Sequence, residues 1–257
     1  MLKRIIMLMV LPFILIAEIP KCHNKEDKIS GCVEQEYYEN KNLKWEKHYK
    51  NGKQNGLERW YYKSGECKSE IFYKDGKRQG VAKYYHINGT LDAKYIYNKN
   101  GKLNGLSVQY HENGQIQGVT QYKNGKVVGV SKSYYPNGQL AKEIPYKNGR
   151  THGAIKSYYE NGKIRQETHY EDGVFTGVIK IYDKKGNLTD ENPLKDGVRV
   201  STKVYYPNGN LMLEIPFKNG KEDGIAKEYY ENGELKAEIF YTNGKEIKRT
   251  LYDKSKK

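Results

Sequence analysis

Apolar and polar residues alternate one by one along short runs of this chain. In "LMLEIPF", Leu211, Leu213, Ile215 and Phe217 fall on one face, and Met212, Glu214 and Pro216 on the other. "LKAEIFY" repeats the scheme with Leu235, Ala237, Ile239 and Tyr241. A period of two predicts β-strands, since a helix would return its apolar residues after three and four positions. The runs are about six or seven residues long, an ordinary strand length, and turn signals bound them on both sides. One signal is Asn-Gly or Asp-Gly, as at Asn51-Gly52, Asp75-Gly76 and Asn100-Gly101 and onward to Asn243-Gly244. These residues accept positive φ, so they specify tight hairpins. The other signal is the "YPNG" type at Pro136 and Pro207, where proline fixes φ for a type I turn followed by a glycine bulge.

The turns return at a fixed interval. With one tyrosine per unit as a marker, in most units the second of a Tyr-Tyr pair, Tyr38, Tyr62, Tyr85, Tyr110, Tyr135, Tyr159, Tyr182, Tyr206 and Tyr230 recur every 23 to 25 residues. Nine units therefore occupy residues 37–252, with two strands in each. The predicted fold is all-β: tandem repeats of ~24 residues forming an elongated antiparallel β-meander stabilised by nearest-neighbour stacking. Pro145, Pro193 and Pro216 fall inside strands, where a ladder N–H is needed, so each predicts a bulge or a missing ladder bond.

The N-terminus departs from this rhythm. A basic "MLKR" precedes the apolar run Ile5–Ala17, which is interrupted by Pro12. The run is short for a bilayer span and has the charge and length pattern of a secretory signal. The expected organisation is a signal peptide at 1–17, an N-terminal linker at 18–36, the repeat domain at 37–252 and a basic tail at 253–257. The exported chain would then have no transmembrane span and would lie in the periplasm, at the cell surface or outside. In an oxidising compartment Cys22 and Cys32 can close a short loop, which leaves Cys67 over.

Composition narrows the function. Only 37% of residues are hydrophobic, and 25 Tyr stand against five Phe. That balance suits half-wet surfaces better than one deep core. The net charge of +14 favours anionic partners, while its even spread argues against a nucleic-acid-binding block. The six histidines are scattered, and no metal spacing, phosphate loop or nucleophile elbow is present, so neither catalysis nor a cofactor is expected. Glutamates recur once in most units (Glu46, Glu70, Glu143, Glu167, Glu191, Glu214, Glu238), which suits a charge ladder better than an active site. A cation two residues before a tyrosine also recurs: Arg59/Tyr61, Lys83/Tyr85, Lys132/Tyr134, Lys156/Tyr158, Lys180/Tyr182, Lys203/Tyr205 and Lys227/Tyr229. That spacing puts both on one face and predicts a basic-aromatic stripe, whose role is either binding or the covering of tyrosines by lysine stems.

Units such as "YYENGKIRQETHYEDG" and "YYPNGQLAKEIPYKNGRTHG" resemble the MORN repeat variant, tandem arrays of which occur in the YwqK-type antitoxin family. The resemblance implies a non-catalytic β-repeat scaffold that binds a protein, in that family a toxin. The alternative is an exported envelope protein that binds an anionic surface polymer, glycan or lipid headgroup.

Overall fold

The structure, a computed structural model, describes residues 19–252. The expected signal peptide and basic tail lie outside the described residues. A single antiparallel sheet runs from strand Cys32–Tyr37 to strand Lys245–Leu251, each long strand pairing with the long strands before and after it. The predicted meander is therefore the observed fold. Of its 23 strand segments, four are two-residue pieces (Arg150–Thr151, Val174–Phe175, Val198–Arg199 and Lys221–Glu222). Each is cut from the strand that follows it by a bulge.

The bulge explains the prolines. Tyr146 pairs with Thr151, but Glu143 pairs with Lys156, so two extra residues are absorbed around His152 and Gly153. Across the gap the proline carbonyl accepts a bond from the bulged strand: His152 N–H to Pro145 at 3.0 Å, Val200 to Pro193 at 3.0 Å and Asp223 to Pro216 at 3.1 Å. Gly153 has φ +110°, and a Cβ there would stand 3.2 Å from Pro145 Cγ. Glycine is required by backbone and space alike.

Two kinds of turn alternate along the two long edges of the ribbon. At the tight tips both central residues have positive φ, as at Asn51 (52°) and Gly52 (70°), the type I′ geometry. The tip at Asn100-Gly101 departs from it. Asn100 is absent from the positive-φ residues, Gly101 N–H bonds back to Asn98 and Asn98 Oδ1 accepts from Asn100 and Lys102. One additional residue in Asn98–Lys102 converts the two-residue tip into a type I turn with a glycine bulge. Cations flank most tips in direct register: Lys50 opposite Lys53, Lys74 opposite Lys77, Lys123 opposite Lys126, and Lys147 opposite Arg150.

On the opposite edge, a side chain in most units clasps the next, the exception being Asp183, whose carboxylate bonds within its own turn. Tyr38 Oη donates to the Tyr61 carbonyl at 2.8 Å, and Tyr62, Tyr135, Tyr159 and Tyr206 do the same one repeat on. In two units the clasp is histidine: His86 Nε2 meets the Tyr110 carbonyl and His111 Nε2 that of Tyr134. This corrects the repeat register. Tyr85 and Tyr110 stand one position before the clasp, which those units fill with histidine, and Tyr182 likewise precedes Asp183.

One face of the sheet holds the core. Ile71, Ala82, Ala93, Ala226, Ala237 and Ile239 are at most 4% exposed although no second layer covers them. Small residues at these sites let flanking rings close over the middle of the sheet, as where Tyr84 meets Tyr95 edge-on at 5.6 Å.

Residues 19–36, expected as a linker, are folded. Asn24 and Asp27 form a capping box at the start of helix Lys25–Ser30. The helix offers the Lys28 and Ile29 carbonyls to Gly52 and Asn51 of the first tip. Cys22 and Cys32 are joined by a disulfide, and the Pro20–Cys22 backbone bonds along Val33, covering part of the outer edge of the first strand.

Candidate functional site

The face opposite the core carries the recurrent charges. Cross-strand register sets Glu46 opposite Arg59, Arg59 opposite Glu70 and Lys132 opposite Glu143. Arg59 bonds both neighbours, Glu46 at 2.9 Å and Glu70 at 3.1 Å. Lys132, Lys180 and Lys203 reach Glu143, Glu191 and Glu214. Tyrosines of the predicted stripe join the same carboxylates from the other side. Tyr61 donates to Glu46 at 3.4 Å, Tyr158 to Glu143 at 2.7 Å and Tyr205 to Glu191 at 2.7 Å. Lys156 stands opposite Glu167 and Lys227 opposite Glu238, while Tyr134 and Tyr229 end their strands opposite Leu140 and Leu235.

The stripe is thus one ladder of alternating charge capped by phenols. Each half-exposed pair contributes ~0.2–1 kcal/mol. The Tyr158 hydroxyl and then Lys132 hold the Glu143 carboxyl below its ordinary range. Burial first, then the accepting carboxylate, pushes Tyr85, Tyr158 and Tyr205 up to about 12. These phenols ionise near 10 in the unfolded chain, so their contribution is complete below pH 10 and is lost as pH rises towards 12. Denaturant titrations should therefore show stability falling between pH 10 and 12, with a shallower fall in Tyr158→Phe/Tyr205→Phe. A wild-type midpoint that stays constant across that window would count against the ladder.

In one place the ladder is interrupted. Lys94 occupies the glutamate position opposite Lys83, and the next rungs are Val108 opposite Val119. On its other side Lys83 stands opposite Glu70, whose carboxylate is taken by Arg59 and Tyr85, so neither Lys83 nor Lys94 forms an ion pair among the described residues. Beside the ladder runs a row of exposed apolar side chains, of which Phe72, Val81, Leu106, Val130, Ile225 and Phe240 are 42–53% exposed. Where the carboxylates are missing this row merges with Val108 and Val119, making an apolar patch from Val81 to Val130 with two unpaired lysines at one side. The seven glutamates seen in the sequence already skip this segment. Only cross-strand register shows what replaces them.

The core face offers shallow recesses, one of them about 530 Å³ and lined by Leu213, Ile215, Glu228 and Arg249 among others. No cluster of three or more His, Cys, Asp or Glu side chains suited to a metal occurs among the described residues, and no described helix is long and apolar enough to cross a membrane.

Comparison with known proteins places these repeats. The MORN repeat variant model matches residues 54–75, 103–124, 127–148, 151–172, 201–219 and 222–243. The unmatched stretches between them include the inserted residue of Asn98–Lys102 and the units with His86 and Asp183 at the clasp. No curated protein matches. Among solved structures, the crystal structures of TcdB2-TccC3-Cdc42 and of TcdB2-TccC3 each contain a chain 13% identical over 86% of this one, with TM-scores of 0.19 and 0.20. The chain spans 14% of the length of either, and scores this low support no structural comparison. Repeats of the matched kind are generally protein- or lipid-binding modules and typically non-catalytic. The six matched segments amount to half of the chain, which belongs to the MORN repeat variant family.

Proposed function

We propose that the chain is a non-catalytic scaffold that binds a protein partner on its ladder face. The interruption at Lys83, Lys94, Val108 and Val119 carries this reading. A contiguous exposed apolar patch is an interaction site far more often than a solvated surface, and the unpaired lysines beside it favour a partner with acidic groups at the rim of its contact. The paired ladder on either side presents little net charge, so recognition concentrates at the interruption.

The finer reading is an antitoxin-like scaffold that holds a toxin protein, as the resemblance of the repeats implies. A second reading, favoured by the 1–17 segment, is an exported envelope protein facing an anionic polymer, glycan or headgroup. Both are tested by one experiment in the native cell. A photo-crosslinking residue replaces Val81 or Val130 in the patch, or Tyr146 on the core face as a control. The expected result is one protein adduct from the patch positions and none from Tyr146. A toxin adduct from the cytoplasm supports the antitoxin role, and an envelope protein adduct with cleavage near Ala17 supports export. Adducts confined to Tyr146 would refute the ladder face as the binding surface.

A further inference from the structure

Among the described residues, the tight-tip edge carries a long row of unpaired charge. Five successive tips, from Lys50–Lys53 to Lys147–Arg150, each place two exposed cations at the end of a hairpin. In four of them the cations stand directly opposite each other, an arrangement that costs stability. None of the ten forms an ion pair among the described residues. Elsewhere on the same strands Lys44, Arg59 and Lys132 do reach glutamates. Alternate tips are also tied to the tip before them. Gly76 N–H bonds to the Gln54 carbonyl, Gly125 to Leu103 and Gly173 to Thr151, at 2.7–2.8 Å. Consecutive pairs thus recur two strands apart, about 10 Å, on a fixed frame. The row is broken at Glu171-Asp172-Gly173-Val174, where the flanking cations are lost, and beyond it one more pair stands alone, Lys218 opposite Lys221.

We propose that this edge binds a linear phosphate-bearing polymer, laid along the tips from Lys50 to Arg150. A regular line of lysines two strands apart fits a chain with repeated charge better than a single compact anion, which would engage one tip only. Lysine suits the task as a compact point charge without a fixed hydrogen-bonding fork. Binding would release the polymer's counterions and so weaken steeply with salt. The site lies on an edge separate from the ladder face and does not rest on the protein-binding reading.

The test uses the full chain, with long-chain inorganic polyphosphate, tripolyphosphate and anionic phospholipid vesicles as probes at several salt concentrations. One variant carries Lys53→Gln, Lys77→Gln, Lys102→Gln and Lys126→Gln. A second, of equal charge, carries Lys132→Gln, Lys156→Gln, Lys180→Gln and Lys203→Gln on the ladder. Circular dichroism verifies that both are folded. The expected result is that long polyphosphate binds far more tightly than tripolyphosphate. The tip variant should lose on the order of 100-fold in affinity, and its salt slope should fall by about three, while the ladder variant keeps most of both. Equal losses in the two variants would mean diffuse attraction to net charge. Equal affinity for tripolyphosphate would mean a point site, and retention on vesicles without polyphosphate binding would mean a membrane surface. Each of these three outcomes overturns the proposal.

Discussion

Gly153→Val is expected to destabilise the protein by about 3–5 kcal/mol. Strain at a backbone angle that only glycine accepts comfortably supplies ~1–3 kcal/mol, and forcing a side chain against Pro145 adds a similar amount. The size of the effect should depend on position as much as on chemistry. In a one-dimensional array each unit touches only its neighbours, so a fault in the middle separates two halves that must then fold alone. Gly224 has almost the same geometry, with φ +113° and Pro216 Cγ 3.1 Å from the place a Cβ would take, but few strands follow it. Gly224→Val should therefore release only the last hairpins, seen as rapid hydrogen exchange after residue 211, with the urea midpoint of the remainder kept. Loss of the whole fold in both variants would show that the array is cooperative from end to end.

The second large effect concerns the N-terminal cap. Removing the bond between Cys22 and Cys32, which are ten residues apart, should cost the cap about 3 kcal/mol through the entropy returned to so short a loop. Cys32 is 1% exposed, so Cys22→Ala/Cys32→Ala separates loss of the bond from burial of a polar replacement. Faster exchange is expected at residues 19–52, where the helix closes the first tip, and unchanged exchange beyond Tyr85. Exchange that stays slow at 19–52 would show that the helix and first strand hold without the bond. A cap of this kind also links folding to redox compartment, because its full stability requires an oxidising one.

Much of the fold was legible in the sequence because hairpins announce themselves twice, through period-two alternation and through turn residues that few other conformations tolerate. What escaped followed from register. Tyr85, Tyr110 and Tyr182 read as equivalent to Tyr38 and Tyr62 because tyrosine precedes the turn in those units too, and only the hydrogen bonds of His86 and His111 revealed the true register. The one-residue insertion near Asn98 changed a turn type without disturbing the count. For the candidate site the limit was the same. The cation and tyrosine of the stripe lie two residues apart and are visible along the chain. The carboxylates that bind them lie on neighbouring strands, as Glu46 does for both Arg59 and Tyr61, and their pairing depends on bulges that alternation does not reveal. The helix at Lys25–Ser30 is too short for periodicity to expose it, though Asn24 and Asp27 mark its start.

The clasp has a mechanical consequence. A chain pulled from its two ends would load a meander by peeling, one hairpin after another, and peeling offers little resistance because ladder bonds break singly. The Tyr62 hydroxyl and its counterparts each hold the carbonyl of the following unit, so a hairpin cannot leave until that contact yields. Extension should then proceed in even steps, each releasing roughly 80 Å of contour for one repeat, and close again in reverse when tension falls. Such a ribbon would limit the force transmitted between whatever is attached at its ends.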